Sequence, residues 1–299
     1  MILEIYYARA SLQSIAVAHS GGADSTCLLY LLHTWITQND ERTTEDLRAV
    51  VSLIIDHSLQ RKSAETAELS RQFCEKQGIP AKVLRIPWST SGFPERPRPG
   101  QAFETAAREA RYHLLFESMQ EQNVDVLATG HHADDHVETL IMRKIASVKK
   151  PLALTPMRKH RRWGMMTFGE PGMKSWLVKP LLTVPKDRIL ATCEAHGLAY
   201  VNDPTNFQPE VAQRNFIRSC LSGNMPTKPP YGAPRLTAAR VMSAVEDLDK
   251  SAREQCASLD TTNQVDRLYF LADSLMSRQE KLDQEGEHTC FMKFEKEKY

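Results

Sequence analysis

The sequence contains 299 residues, with 38 Lys or Arg, 37 Asp or Glu and 41% hydrophobic residues. This composition is typical of a globular protein with a hydrophobic core, and it excludes a chain that is disordered throughout. The net charge of +1 does not indicate a general polyanion-binding protein, so any basic surface must arise from local clustering.

Short apolar runs alternate with amphipathic segments along the first two thirds of the chain. Strands are predicted at residues 14–18, 47–55, 81–86, 124–128 and 176–178. Helices are predicted at residues 25–36, 63–77, 102–119, 134–145 and 185–196. This alternation predicts an α/β fold, a Rossmann-like parallel sheet with helices on both faces. Ligands of such sheets bind at the carboxyl ends of the strands.

Two segments rich in proline and glycine interrupt the pattern. Residues 87–100 are predicted to form an exposed loop, and residues 223–234 are predicted to form a linker. Two helical stretches follow the linker. The predicted organisation is therefore a large domain over residues 1–222, the linker, and a small helical region over residues 235–299.

The six cysteines lie at least 27 residues apart and include no C-x-x-C pair, which disfavours zinc ribbons and iron–sulfur loops. No apolar run approaches the ~20 residues that cross a bilayer, so no membrane role is expected. A buried strand from Ser14 leaves no room for a cleavable targeting peptide, and the cytosol is the expected compartment. A mitochondrion or plastid is the alternative, should this N-terminus lack a presequence.

The segment Ser20-Gly21-Gly22-Ala23-Asp24-Ser25 lies between the first predicted strand and the first predicted helix. Its glycines let successive N–H groups point inward, and the helix start adds a positive dipole end, so the turn suits a phosphate chain. The serines add hydroxyl donors. Asp24 would repel phosphate unless a divalent cation lies between them, which predicts Mg²⁺. The alternative is a plain turn with a helix N-cap.

A second polar segment, His131-His132-Ala133-Asp134-Asp135-His136-Val137-Glu138-Thr139, directly follows the fourth predicted strand. Asp135 and Glu138 are three residues apart, so both carboxylates fall on one helical face and suit an ammonium group. The alternative is that Asp134 caps the helix and the histidines are surface residues. The histidine spacing matches no zinc pattern.

The first segment resembles the pyrophosphate loop, S-G-G-x-D-S, of the PP-loop ATPases, and the second resembles the H-H-x-D-D-x-x-E-T segment of one subfamily, the tRNA(Ile)-lysidine synthetases. Further segments agree with that subfamily in order: Asp56 to Arg61, Glu104 to Tyr112, Asn202 to Asn206 and Arg214 to Arg218. The resemblance covers roughly residues 14–218.

This resemblance implies an adenine nucleotide alpha hydrolase-like fold and a ligase that forms a carbon–nitrogen bond. Such an enzyme adenylates the C2 oxygen of the wobble cytidine in tRNA(Ile) with a CAU anticodon. It then replaces that oxygen with the amine of L-lysine, using ATP and Mg²⁺ and releasing AMP and pyrophosphate. A second copy of the chain, forming a homodimer, is a further partner that the resemblance allows.

Two alternatives stay open. One is another PP-loop enzyme that modifies tRNA, such as a thiolase. The other is a catalytically lapsed homologue that only binds tRNA, because the segment after Arg143 lacks the glycine-containing loop usual in the family.

The resemblance also implies roles for individual residues. The ATP-binding residues are Ser20, Gly21, Gly22, Asp24, Ser25, Asp56 and His57. The metal ligand is Asp24. The catalytic residues are Asp24, Arg108, Arg111, His132, Asp135 and Glu138. Of these, Asp135 and Glu138 bind lysine.

Residues 139–169 contain eight Lys or Arg and no acidic residue. Within the resemblance, this stretch is expected to face RNA and to make salt-dependent phosphate contacts. A solvated charged loop is the alternative. The expected tRNA-binding residues are Lys149, Lys150, Arg161, Arg162, Arg214 and Arg218.

Overall fold

The computed structural model of the chain describes residues 14–38, 49–59, 62–97, 104–146, 157–159, 168, 171–172, 175–202, 204–255 and 263–278. Six strands in these ranges form one sheet in the order β3-β2-β1-β4-β6-β5. The strands are β1 Ser14–His19, β2 Ala49–Asp56, β3 Ala81–Arg85, β4 Val126–Ala128, β5 Met157–Lys159 and β6 Trp176–Val178.

Five of these strands run parallel, as the alternation of strands and helices predicts. β5 is an antiparallel edge strand that pairs with β6, and the sequence pattern did not predict it. Two of the three residues of β5, Arg158 and Lys159, are basic, so no apolar run marks this strand in the sequence.

All the helices except α6, Gln213–Leu221, which the sequence pattern did not predict, lie where the apolar periodicity places them, with ends shifted by a few residues. The helices are α1 Ala23–Gln38, α2 Ser63–Lys76, α3 Glu104–Glu121, α4 Ala133–Ile145, α5 Lys186–Ala195, α6 Gln213–Leu221 and α7 Ala238–Gln255. A further helix, α8, covers residues 264–278. No helix in the described ranges has the length and apolar character that crossing a membrane requires.

Helices cover both faces of the sheet. Neighbouring residues of each strand point to opposite sides, so each face carries apolar side chains that a helix can cover. On β1, Ile15 and Val17 join one core cluster, in which Leu28 of α1 and Ile189 of α5 also lie. Ala16 joins the opposite cluster, to which α3 contributes its large apolar side chains Tyr112, Leu115, Phe116 and Met119. The predicted fold class is therefore confirmed.

The chain divides into two compact units that interleave along the sequence. The first unit comprises residues 1–132 and 157–205, and it contains the sheet with α1, α2, α3 and α5. The second unit comprises residues 133–156 and 206–299, and it contains α4, α6, α7 and α8. The domain boundaries predicted around residues 223–234 stay a prediction.

A buried carboxylate joins two helices of the second unit. Asp249 on α7 accepts hydrogen bonds from Arg267 on α8, at 2.6 Å from Nε, and from Arg253 on its own helix, at 2.8 Å from Nη2. The hydrogen bonds from Arg267 lead the effects that hold the pKa of Asp249 below its usual range, so the carboxylate stays charged. The ion pair between Asp249 and Arg267 thus holds α8 against α7.

Candidate functional site

The loop after β1 has the shape that its glycines predict. Gly21 has a φ of +79°, and a Cβ at this position would overlap the Ser70 hydroxyl on α2. The Ser20 amide donates to Ser25 Oγ at 3.1 Å, and the two hydroxyl oxygens also lie 3.1 Å apart. The Ser25 hydroxyl donates to the Gly22 carbonyl at 3.2 Å. The loop is therefore closed on itself at the start of α1.

A close backbone contact joins this loop to the end of β4. A Cβ on Gly130 would lie 2.9 Å from both the carbonyl carbon of Asp24 and the amide nitrogen of Ser25. Neither atom belongs to a flexible side chain, so only glycine permits this approach. The contact brings the His131–His132 segment beside the first turn of α1.

His19 supports the loop from below. Its ring is almost fully buried and lies 3.1 Å from both Thr26 Oγ1 and Ser52 Oγ. Burial lowers the pKa of His19 from 6.5 to about 4, so the ring is neutral at physiological pH. A neutral ring donates one hydrogen bond and accepts another, and the two hydroxyl groups supply both partners.

Asp24 contacts two basic side chains of the first unit. The ammonium group of Lys186, at the start of α5, donates to Asp24 Oδ1. The buried His132 has its Nε2 3.8 Å from the same oxygen. Sequence reasoning did not select Lys186, because it lies 162 positions from Asp24 and belongs to no segment that carried the resemblance.

Asp56 and His57 follow the carboxyl end of β2, as predicted. Burial tends to raise the pKa of Asp56, but hydrogen bonds from the Ser63 hydroxyl and the Ser58 amide hold it below the usual value. Burial also lowers the pKa of His57 to about 4, and the positive charge of Arg111 on α3 contributes in the same direction. Asp56 is therefore charged and His57 is neutral at the edge where a nucleotide is expected.

The predicted loop after β3 is folded onto this edge over its described part, residues 87–97. Trp88 Nε1 donates to the His57 carbonyl at 2.7 Å, and Arg96 donates to the Ser58 carbonyl at 2.6 Å. The loop also contacts α3, because His113 Nδ1 lies 2.7 Å from the Gly92 carbonyl. Composition predicted an exposed loop, but it gave no sign of these long-range hydrogen bonds.

The two arginines selected on α3 lie beside one aromatic ring. The guanidinium carbons of Arg108 and Arg111 are 5.0 and 5.4 Å from the centre of the Tyr112 ring. Cation–π attraction at this distance holds the guanidinium groups near the ring face. The electrostatic effect of Arg111 on His57 places this arginine near the carboxyl end of β2.

The second unit contains a cluster of two acids and two arginines, which we call the acid–arginine cluster. Arg214 on α6 donates to Asp135 at 3.4 Å and to Glu138 at 3.5 Å, so the two carboxylates share one face of α4. Arg218 makes two hydrogen bonds to Glu138, at 2.8 and 3.2 Å. Both arginines were expected to bind tRNA, and their contacts with these acids were not foreseen.

Glu138 is the most buried member of the acid–arginine cluster, with 2% of its side chain exposed. Burial raises its pKa above the usual value, and the neighbouring Asp135 contributes in the same direction. The positive charges of Arg218 and Arg214 oppose the shift. The result is a carboxyl group whose pKa lies closer to neutrality than that of an exposed glutamate.

Four of the residues expected to bind tRNA fall outside the part of the chain that the structure describes. They are Lys149, Lys150, Arg161 and Arg162. Within the described ranges, no group of three or more His, Cys, Asp or Glu side chains is arranged to hold a metal ion.

Replacing Gly130 with alanine is expected to destabilise the first unit by about 1 to 3 kcal/mol, because the new methyl group presses on the Asp24–Ser25 backbone. Gly22→Ala is a matched control, since its Cβ would meet only Ser20 Oγ at 3.7 Å, an ordinary contact. Urea unfolding of both variants measures the difference. Equal stability of the two variants would contradict the close approach.

Acid is expected to weaken the fold through His19. Because its folded pKa is below 6.5, the unfolded chain takes up this proton first, and stability is lost as the pH falls from about 6.5 to about 4. His19→Gln removes this component, about 3 kcal/mol for such a shift. Unfolding measured at pH 8, 6 and 4 should show a shallower loss for the variant. Parallel curves for both proteins would refute the assignment.

Comparison with known proteins identifies the family of the chain. The sequence matches the PP-loop domain family over residues 2–225. It is similar to a protein of Rhizobium meliloti named tRNA(Ile)-lysidine synthase, at 33% identity over 80% of this chain and 50% of the relative. A protein of the same name from Methylobacterium nodulans is 32% identical, over 82% of this chain and 62% of the relative.

The chain thus spans between 50% and 62% of the length of these relatives. Among solved structures, a U34-tRNA thiolase from Methanococcus maripaludis superposes with a TM-score of 0.53 over 88% of this chain and 72% of the thiolase. At 17% identity this likeness shows the fold alone. The family match and the names of the relatives confirm the predicted resemblance, and the chain belongs to the PP-loop domain family.

Proposed function

We propose that this protein is an ATP-dependent ligase that attaches L-lysine to the wobble cytidine of a tRNA with a CAU anticodon. The observation that carries the proposal is the closed loop from Ser20 to Ser25, with Asp24 held between Lys186 and His132. The two relatives named tRNA(Ile)-lysidine synthase support the choice of substrate.

The first step is adenylation of the base. The C2 oxygen of cytosine attacks the α-phosphorus of ATP, the bond from that phosphorus to the bridging oxygen breaks, and pyrophosphate leaves. Backbone N–H groups at the start of α1 and the ammonium of Lys186 offset the charge that builds on the leaving group. The oxygen, a poor leaving group by itself, then departs with AMP in the second step.

Asp24 fits the role of a magnesium ligand. Mg²⁺ is usually held by one or two carboxylates together with substrate phosphates, and Asp24 supplies one carboxylate at the helix start where phosphate is expected. Bound Mg²⁺ would neutralise phosphate charge during adenylation. Because Lys186 and Mg²⁺ are both cations, the ammonium of Lys186 must share or release Asp24 when the metal binds.

The acid–arginine cluster suits a free amino acid. Lysine carries two ammonium groups and one carboxylate, so Asp135 and Glu138 are matched to an ammonium group and the guanidinium of Arg214 is matched to the carboxylate. The ε-amine must lose a proton before it attacks C2. Glu138 is the preferred acceptor, since its raised pKa makes it a stronger base than an ordinary carboxylate.

Arg108 and Arg111 remain candidates for contacts with the phosphates or the cytidine. The basic stretch with Lys149, Lys150, Arg161 and Arg162 is proposed to bind the tRNA backbone. The predicted cytosolic location and homodimer also stay proposals.

The direct test incubates a CAU-anticodon tRNA transcript with the protein, ATP, Mg²⁺ and lysine, followed by mass analysis of the wobble nucleotide. The expected product is cytidine that has gained one lysine and lost one water. Asp24→Ala should lower the rate at least a hundredfold, because the phosphate chain loses its metal contact. Lys186→Met should lower it as well, since the leaving pyrophosphate then lacks the ammonium group that offsets its charge.

Pyrophosphate release separates the alternatives. The proposed enzyme releases it only when tRNA is present and forms product only when lysine is present. A thiolase would give a sulfur-containing nucleotide, and a lapsed homologue would bind tRNA with no turnover. Either result would reject the proposed function.

Glu138→Gln is expected to raise the KM for lysine about ten- to a hundredfold, because a charge-assisted hydrogen bond is worth about 1.5 to 3 kcal/mol. It should also lower kcat if Glu138 accepts the amine proton. Asp247→Asn is the matched control, since this acid of the second unit pairs with Lys144 at an exposed position. Unchanged lysine kinetics in Glu138→Gln would exclude the cluster as the lysine site.

A further inference from the structure

Two large aromatic side chains of the second unit are exposed on neighbouring segments. Phe207 is 75% exposed and Tyr231 is 67% exposed, whereas a buried core residue such as Phe216 of α6 is 1% exposed. The Tyr231 amide donates to the Glu210 carbonyl at 2.8 Å, so the segment around Tyr231 is tied to the segment that carries Phe207. The two exposed aromatic residues therefore lie on segments whose backbones are held together.

The backbone beneath these rings is held in place. The Asn215 amide group of α6 donates to the Gln208 carbonyl at 3.1 Å, which anchors the segment of Phe207. Pro230 and Leu236, on either side of Tyr231, are buried. Since fixed backbones lose little further freedom on binding, the exposed rings are presented in a preorganised form.

Apart from the exposed Glu210, whose carbonyl accepts the Tyr231 amide, the charged residues near Tyr231 along the chain are basic. Residues 211–245 contain five Lys or Arg and no Asp or Glu. Arg214 and Arg218 are engaged with the acids of the cluster, and Arg240 donates to the carbonyls of Arg235 and Ile145. Lys228 and Arg235 are exposed on the same segment as Tyr231. The surface thus combines exposed rings with positive charge.

We infer that Phe207 and Tyr231, with Lys228 and Arg235, form a binding surface for single-stranded RNA, which we call the aromatic–basic surface. Unpaired bases stack on exposed aromatic rings, and the flanking cations contact phosphates. The exposed cations Lys228 and Arg235 suit a polyanion better than an apolar protein surface. This inference deepens the proposed function, on which it rests, because the wobble cytidine lies in a single-stranded loop.

The test measures the affinity of the full chain for a labelled unstructured RNA of about 12 nucleotides and for the CAU-anticodon tRNA transcript. Phe207→Ala combined with Tyr231→Ala is expected to weaken binding of both RNAs about ten- to a hundredfold. The variant Phe207→Tyr with Tyr231→Phe keeps both rings and should bind as wild type. Leu69→Ala, at an exposed apolar position on α2, controls for loss of surface apolar area.

The salt dependence of binding tests the cations. Replacing both Lys228 and Arg235 with glutamine should reduce the slope of log affinity against log salt by about 1.4, since each contact with single-stranded RNA contributes about 0.7. An unchanged slope would remove these residues from the surface. Equal affinity of the double alanine variant and wild type would overturn the inference, including the case in which the rings bind a protein instead.

The two proposals fail separately. If wild type forms the lysine product while the double alanine variant binds RNA equally well, the surface is rejected and the proposed function stands. If RNA binding depends on the rings but no lysine product forms, the proposed function fails and the surface is retained. Thermal unfolding of each variant confirms that these exposed substitutions leave the fold intact.

Discussion

The site of the first unit depends on one close contact between two stretches of backbone. Gly130 lets the end of β4 approach the peptide between Asp24 and Ser25 closely enough that no side chain would fit. Two functional segments far apart in sequence are thereby held against each other by main-chain atoms, which are stiffer than side chains. This arrangement fixes where His132 lies relative to Asp24.

The buried ring of His19 complements this contact. It occupies the last position of β1. Its hydrogen bonds with Thr26 and Ser52 join α1 to β2 beneath the loop. A charged ring could not remain there, because burial disfavours the ionised form. The loop therefore rests on two hydrogen bonds between neutral groups.

Much of the fold follows from local patterns in the sequence. β1 and α1 could be predicted because Ile15, Val17 and the leucines of α1 repeat with the periods of a buried strand and an amphipathic helix. β5 was not predicted, since its residues Met157, Arg158 and Lys159 form no apolar run. The folded loop after β3 was also unforeseen beyond its exposure, because Trp88 and Arg96 bind the carbonyls of His57 and Ser58 across a distance in sequence that composition does not report.

The candidate site divides in the same way. Motifs located the loop at Ser20 to Ser25 and the acids of α4, since each is a continuous string whose chemistry can be read directly. Lys186 belongs to no recognised motif, and only the folding of the chain brings it to Asp24. Arg214 and Arg218 belong to a recognised segment, but sequence could not show whether they point to solvent or to Glu138. Which side chain an arginine pairs with depends on the tertiary structure, and here both arginines pair with Glu138.

That pairing bears on which ligand the acid–arginine cluster accepts. Asp135 and Glu138 carry two negative charges that Arg214 and Arg218 balance, and the side chains of the two acids are only 17% and 2% exposed. A simple amine would add an uncompensated charge to this poorly solvated site, and a simple carboxylate would do the same with the opposite sign, so both incur a desolvation cost. We propose that lysine avoids this cost because it brings a carboxylate as well as ammonium groups, so that each carboxylate and each guanidinium of the cluster can exchange an internal partner for one of the same charge on the ligand. On this proposal, the arginines bound to the acids supply the selectivity for an amino acid over an amine.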